Sequence, residues 1–138
     1  MPQINAYLTF DGNCHQAMEF YRDALGGTLN LQTIGESPMA AQMPTANHGL
    51  VMHAHLAAEG FALMASDMSP DEGVKPGNNI ALMLYCGSEA EIRQYFAKLS
   101  AGARSTKPLK EEFWGSVYGE VEDQFGLRWM LNWDKPKA

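Results

Sequence analysis

The chain has 138 residues, enough for one domain with a real hydrophobic core, and its 46% hydrophobic and 19% charged residues exclude a disordered segment. A net charge of −6 without any Lys/Arg cluster excludes a nucleic-acid-binding face. Cys14 and Cys86 form neither a CxxC nor a zinc spacing, and no apolar run nears the roughly 20 residues of a membrane helix, so a cytoplasmic chain with two free thiols is expected.

The start, Met1-Pro-Gln-Ile-Asn, lacks the basic and apolar regions of a signal peptide. Residues 4–10 alternate, with Ile4, Ala6, Leu8 and Phe10 on one face and Asn5, Tyr7 and Thr9 on the other, the pattern of a half-buried strand. Asp11-Gly12-Asn13 then offers caps for a helix over 14–25, with Ala17, Phe20, Tyr21, Ala24 and Leu25 on one stripe. Gly26-Gly27 ends it, and Thr28–Ile34 reads as a second strand. A loop over 35–49, rich in Pro, Met, Ala and Gln, is too long for a mere connector. Leu50–Ala57 and Phe61–Ser66 flank Ala58-Glu59-Gly60 as a hairpin.

After a Pro- and Gly-bearing linker at about 68–78, the order repeats. Asn79–Cys86 alternates, with Ile80, Leu82 and Leu84 against Asn79, Ala81, Met83 and Tyr85. Ser88-Glu-Ala-Glu91 is a capping box for a helix with Ile92, Tyr95, Phe96 and Leu99 on one stripe, closed by Gly102. A short strand near 103–107 follows, then Trp114–Val121 and Leu127–Trp133 around a turn at 122–126. Strand, helix and three strands thus occur twice, as an internal duplication would give. The expected fold is α+β: two βαβββ modules, about 4–67 and 79–134, within a single domain over 1–138.

Each module leaves a mixed face opposite its helix, carrying Asn5, Tyr7, Met64, Ser66, Asn79, Met83, Tyr85, Met130 and Asn132. Methionine and tyrosine there suit a cavity lining better than open water, where strands carry Lys, Glu or Thr. If Glu59-Gly60 is a two-residue turn, opposed residue numbers sum to 119, which sets His55 across from Met64 and His53 across from Ser66 on that same face. Nδ1 and Nε2 of such histidines suit proton transfer. In the last hairpin a turn at 122–126 sets Tyr118 across from Met130 and Ser116 across from Asn132, and brings Arg128 to Glu120 as a rim ion pair. Phe113-Trp114, just before a strand, either covers the cavity mouth or makes a dimer contact.

Several strings resemble the vicinal oxygen chelate superfamily of glyoxalase I, extradiol dioxygenases and bleomycin and fosfomycin resistance proteins, and within it the PhnB-like branch. They are Tyr7-Leu-Thr-Phe-Asp-Gly-Asn-Cys-His-Gln-Ala-Met-Glu-Phe-Tyr21, Ala24-Leu-Gly26, Met64-Ala-Ser-Asp67, Phe113-Trp-Gly115 and Phe125-Gly-Leu-Arg-Trp-Met-Leu-Asn132. The resemblance implies that the two βαβββ modules form a cupped eight-stranded mixed sheet with helices on the outer face, usually in a homodimer. Its four metal-ligand positions fall at Asn5, Met64, Asn79 and Met130, none of them a His or carboxylate, so no metal and no cofactor is expected.

Two readings use the cavity, beside a third, a pure interaction or structural dimer, that needs none. One is a metal-free small-molecule binder using Asn5, Tyr7, Met64, Ser66, Asn79, Met83, Tyr85, Trp114, Tyr118, Met130 and Asn132. The other is an enzyme with His53 or His55 as general base and metal-independent lyase or isomerase chemistry, or with both as unusual metal ligands beside Asp67 or Glu112. No glycine-rich loop follows a strand in a Rossmann unit, so methyltransferase chemistry is not expected. Cys14 reads as a packed thiol, and neither a membrane nor a nucleic acid is an expected partner.

Overall fold

In the computed structural model, which describes residues 2–136, the chain divides into two compact units that meet between Lys75 and Pro76. Each is a βαβββ module with one helix and one four-stranded mixed sheet, eight strands in total, an α+β architecture.

The first module runs β1 (Ala6–Thr9), α1 (Cys14–Leu25), β2 (Thr28–Thr33), β3 (Val51–Ala58) and β4 (Phe61–Ser66). Its sheet order is β1-β4-β3-β2, with β1 parallel to β4 and the other neighbours antiparallel. The 35–49 loop is organised by three short 3-10 turns, and the His48 ring Nε2 lies 2.8 Å from the Ala40 carbonyl oxygen and 3.1 Å from that of Met43. The second module runs β5 (Leu82–Tyr85), α2 (Glu89–Leu99), β6 (Ser105–Glu111), β7 (Ser116–Glu122) and β8 (Arg128–Asp134), ordered β5-β8-β7-β6. Its topology repeats the first strand for strand.

Alternation explains each core. Ala54, Leu56, Leu63 and Ala65 turn towards α1 and are buried, as are Cys14, Ala17, Met18, Tyr21, Ala24 and Leu25 on the helix; Phe20, expected in that stripe, is half-buried. In the second module Ile92 and Leu99 of α2 meet Val117, Val121, Trp129 and Leu131. Ser88 caps α2 as expected, its Oγ accepting the Glu91 N–H at 3.1 Å. Helix α1 is capped differently. Asn13 makes no side-chain cap bond; instead Asp67 Oδ1 accepts the N–H groups of Gly12 at 2.8 Å and Cys14 at 3.0 Å. Its Oδ2 accepts the Val51 N–H at 2.8 Å, so one buried carboxylate ties the start of α1 to the start of β3.

Strand boundaries need correction. β1 and β5 are shorter than the alternation suggests, and Ile4 and Ile80, expected beneath the helices, are 99% and 75% exposed because they precede the paired segments. β6 is longer than expected, reaching Glu111 with a bulge between Lys107 and Lys110, where Pro108 has no N–H to donate. Trp114 lies in the turn before β7 rather than within it, and both it and Phe113 are exposed.

The last hairpin is registered differently from expectation. Tyr118 opposes Asn132, Glu120 opposes Met130 and Ser116 opposes Asp134. The reason is Asp123: its Oδ1 accepts the Phe125 N–H at 2.8 Å and the Leu127 N–H at 3.0 Å, so the turn begins one residue later than Glu122. The pairing shifts by two, which leaves every side chain on its expected face.

Candidate functional site

The face of each sheet turned away from its helix carries most of the residues singled out above. In the first module the paired registers set them in lateral rows. Tyr7, Met64, His55 and Asn30 form one row, since Tyr7 pairs with Met64, Met64 with His55 and His55 with Asn30. Thr9 with Ser66, and Gln32 with His53, extend the next. The Glu59-Gly60 turn has two residues, with Gly60 at φ 93°, so His55 does oppose Met64. His53 lies next along β3 on the same face, and its ring sits 6.3 Å from that of Tyr7, tilted by 38°. Because β4 lies between β1 and β3, Tyr7 leans across that strand to reach it.

His53, His55 and Met64 are half-buried, and none of their side chains makes a hydrogen bond or ion pair among the described residues. Ser66 is buried and its Oγ accepts the Met68 N–H at 3.2 Å, so it shapes the end of β4. Asn5 precedes β1 and is exposed, its Oδ1 accepting from Gln3 Nε2 at 3.0 Å. Asn30 and Gln32 were missed from sequence, although the alternation of β2 with His53 and His55 across from it was available to find them.

In the second module Met83 pairs with Met130, and Tyr85 with Asn132. Continuing outward, Met130 pairs with Glu120 and Glu120 with Lys107, while Asn132 pairs with Tyr118 and Tyr118 with Lys110. A cavity of about 150 Å³ on this face is lined by Ala81, Lys107, Glu120, Glu122, Arg128 and Met130, among others. Asn132 Nδ2 donates to Asp134 Oδ1 at 2.9 Å, and the Ser116 hydroxyl donates to the same oxygen. The Ser116 and Asn132 hydrogen bonds hold the Asp134 carboxyl below its usual range. Tyr118 donates to Glu120 Oε2 at 3.2 Å, and burial together with the Glu120 charge pushes its phenol up. Arg128 does approach Glu120, at 3.9 Å, and also donates to the Asn78 carbonyl. Asn79 and Trp114 lie outside the strands and are exposed; counting back along β5, the counterpart of Asn5 is Ala81.

The four positions that the resemblance implies as metal ligands do not suit a divalent ion. Met64 and Met130 supply thioethers, Asn5 and Asn79 are exposed carboxamides outside the strands, and among the described residues no three His, Cys, Asp or Glu side chains gather in a metal-holding group. Asp67 and Glu112 do not complete such a set with the histidines. Asp67 is committed to three backbone N–H groups, and Glu112 follows β6 in the turn. Cys14 is fully buried, and burial first and the Asp67 charge second push its thiol up to about 12. No helix among the described residues is long and apolar enough to cross a membrane.

Comparison with known proteins agrees with this architecture. The family model described as "Glyoxalase/Bleomycin resistance protein/Dioxygenase superfamily" matches residues 3–131. The chain is 31% identical to Protein YjdN of Escherichia coli K12, over 94% of this chain and 93% of that one. It is similar to the crystal structure of protein PA1353 from Pseudomonas aeruginosa, with a TM-score of 0.85 and 36% identity, covering 99% of this chain and 100% of that one. A Bacillus cereus structure, named a putative 3-demethylubiquinone-9 3-methyltransferase, PhnB protein, shares the fold with a TM-score of 0.73 at 23% identity, over 96% of this chain and 99% of that one.

Proposed function

The chain belongs to the Glyoxalase/Bleomycin resistance protein/Dioxygenase superfamily, and from that premise we propose that it is a PhnB-like member that binds a small organic molecule without a divalent metal. The observation that carries this reading is the row Tyr7–Met64–His55 with its neighbour His53: aromatic, thioether and imidazole groups on a helix-free sheet face, with no formally charged residue in the row. Such a mix of apolar surface and few hydrogen-bonding groups suits a small polar ligand. Asn5, Asn30 and Gln32 orient it, and Met64 adapts to its shape. In module two Met83, Tyr85, Tyr118, Met130 and Asn132 supply the equivalent surface, bordered by charge. At 23% identity the Bacillus cereus structure shares the fold alone, and its methyltransferase name carries no activity over to this chain.

Chelator-treated protein screened by thermal shift against small phosphonates, carboxylic acids and antibiotics tests the proposal. A binder present at 100 times its Kd stabilises by about 2.7 kcal/mol, which shifts melting by several degrees. The shift is expected to fall sharply in Tyr7→Ala. A screen in which no compound raises the melting temperature, or in which Tyr7→Ala responds as wild type, overturns it.

A second reading follows from the Tyr7–His53 approach. A half-buried imidazole beside a phenol suits a general base in lyase or isomerase chemistry on the same ligand. Turnover in His53→Ala equal to that of wild type removes this reading and leaves the binding proposal standing. We further infer that the chain works as a homodimer in the cytoplasm, the dimer being testable by light scattering.

A further inference from the structure

We propose that His53, His55 and Met64 form a binding site for a soft monovalent cation, Cu(I), on the helix-free face of module one. The sequence offers His-x-His, which on a strand projects two imidazoles to one side about 6.6 Å apart along the backbone. That spacing alone is a weak metal signal. The structure adds the third donor. Met64 directly opposes His55 across the β3–β4 ladder, and directly opposed residues carry their Cβ atoms about 4.5–5.5 Å apart. The thioether therefore stands beside the inner imidazole, with the outer imidazole one step along the same face.

Donor chemistry selects the metal. Two neutral imidazoles and a thioether form a soft, uncharged set, which Cu(I) accepts with three ligands and which Zn(II) or Ni(II), lacking a thiolate or carboxylate partner, does not favour. All three side chains are half-buried, and none is committed to a hydrogen bond or ion pair among the described residues, so each is available. Tyr7 leans over β4 to within 6.3 Å of the His53 ring and sets an aromatic face beside the donors, with no charge of its own. The neighbouring Asn30, Gln32 and Thr9 carry no charge to draw a harder cation. The site uses part of the face proposed for the organic ligand but does not depend on it, and the two are probed by different additives.

The test is an anaerobic titration of the reduced full-length chain with Cu(I) in competition with bicinchoninate, no organic ligand being present. One equivalent of Cu(I) per chain is expected to be withheld from the chelator. Met64→Leu should weaken binding at least tenfold and His55→Gln at least a hundredfold, while Cys86→Ser should bind as wild type. Silver(I), a redox-inert substitute, should shift the imidazole ¹⁵N resonances of His53 and His55 in the unmutated protein and leave His15 and His48 in place, a readout that requires no variant to fold. The proposal is overturned if the chelator takes all the copper, if Met64→Leu and His55→Gln bind as tightly as wild type, if Cys86→Ser abolishes binding, or if silver moves other histidines instead.

Discussion

Removing the Asp67 carboxylate should destabilise the first module more than any change on its open face. Asp67 is 5% exposed and accepts three backbone N–H groups, from Gly12, Cys14 and Val51, at 2.8–3.0 Å. In Asp67→Asn the side chain keeps its shape but presents an NH₂ to at least one of these donors. One charge-assisted bond is lost, at about 1.5–3 kcal/mol, and the remaining two lose the charge that strengthens them. The favourable field of a carboxylate at the α1 N-terminus disappears as well, worth about 0.3–1 kcal/mol. The expected total is about 3–4 kcal/mol, a large share of the roughly 5–15 kcal/mol that holds a domain folded. Urea unfolding followed by circular dichroism should show the midpoint falling by about 2 M, given a slope near 1–3 kcal/mol per molar. Asp71→Asn, at an exposed position, serves as the control and should change stability by less than about 0.5 kcal/mol. An Asp67→Asn loss below about 1 kcal/mol would refute the view that this carboxylate is a structural tie, and would reopen its use as a ligand.

Three further outcomes are expected. Both thiols should resist Ellman's reagent at pH 8 in the folded protein and react fully in urea, because burial pushes Cys14 up to about 12 and Cys86 up to about 11 and so keeps them protonated; rapid native reaction of Cys14 would contradict the packing. Asp134 is held below its usual range by Ser116 and Asn132, so its contribution to stability is present above the unfolded carboxyl value and is lost as pH falls through the lower folded one. Ser116→Ala should raise the Asp134 titration measured by carboxyl ¹³C NMR, and an unchanged midpoint would exclude the hydrogen bond as the cause. Gly27→Ala should cost more than about 1 kcal/mol in thermal or urea unfolding, since Gly27 lies at φ +106° and an added Cβ would meet the Ala57 carbonyl oxygen at 2.7 Å; a neutral result would show that the β2–β3 contact relaxes freely.

The parts of the fold set by local rules were legible in the sequence. The Glu59-Gly60 turn fixes its own register, so the pairing of His55 with Met64 followed from counting. The Ser88 cap of α2 and the glycines after α1 likewise marked helix ends. What escaped depends on distant partners. Asp67 finds its three donors 55, 53 and 16 residues away, and no neighbouring residue announces them. Ile4 and Ile80 continue an alternation whose strand pairing has already ended, so periodicity overran the sheet. The last hairpin was misplaced because Asp123, inside the turn, bonds two backbone N–H groups and delays the reversal.

The two modules share a topology but not a chemistry, and the sheet geometry explains how they could diverge. One face of each sheet lies under a helix, where burial restricts the residues to apolar ones such as Leu56 and Leu63 in one module and Val121 and Leu131 in the other. The other face escapes that restriction. In module one it holds carboxamides, hydroxyls, imidazoles and a thioether, with no permanent charge in the rows through His53 and His55. In module two the corresponding rows include Lys107, Lys110, Glu120, Glu122 and Arg128. The ion pairs formed there are long, 3.9 Å for both Lys107–Glu120 and Arg128–Glu120, and partly exposed. Such pairs contribute about 0–1 kcal/mol, too little for stability alone to account for four charged side chains around one cavity. The helix-free faces differ in charge, with four charged side chains lining the module-two cavity and none in the module-one rows, while the helix-facing sides stay alike in their apolar packing.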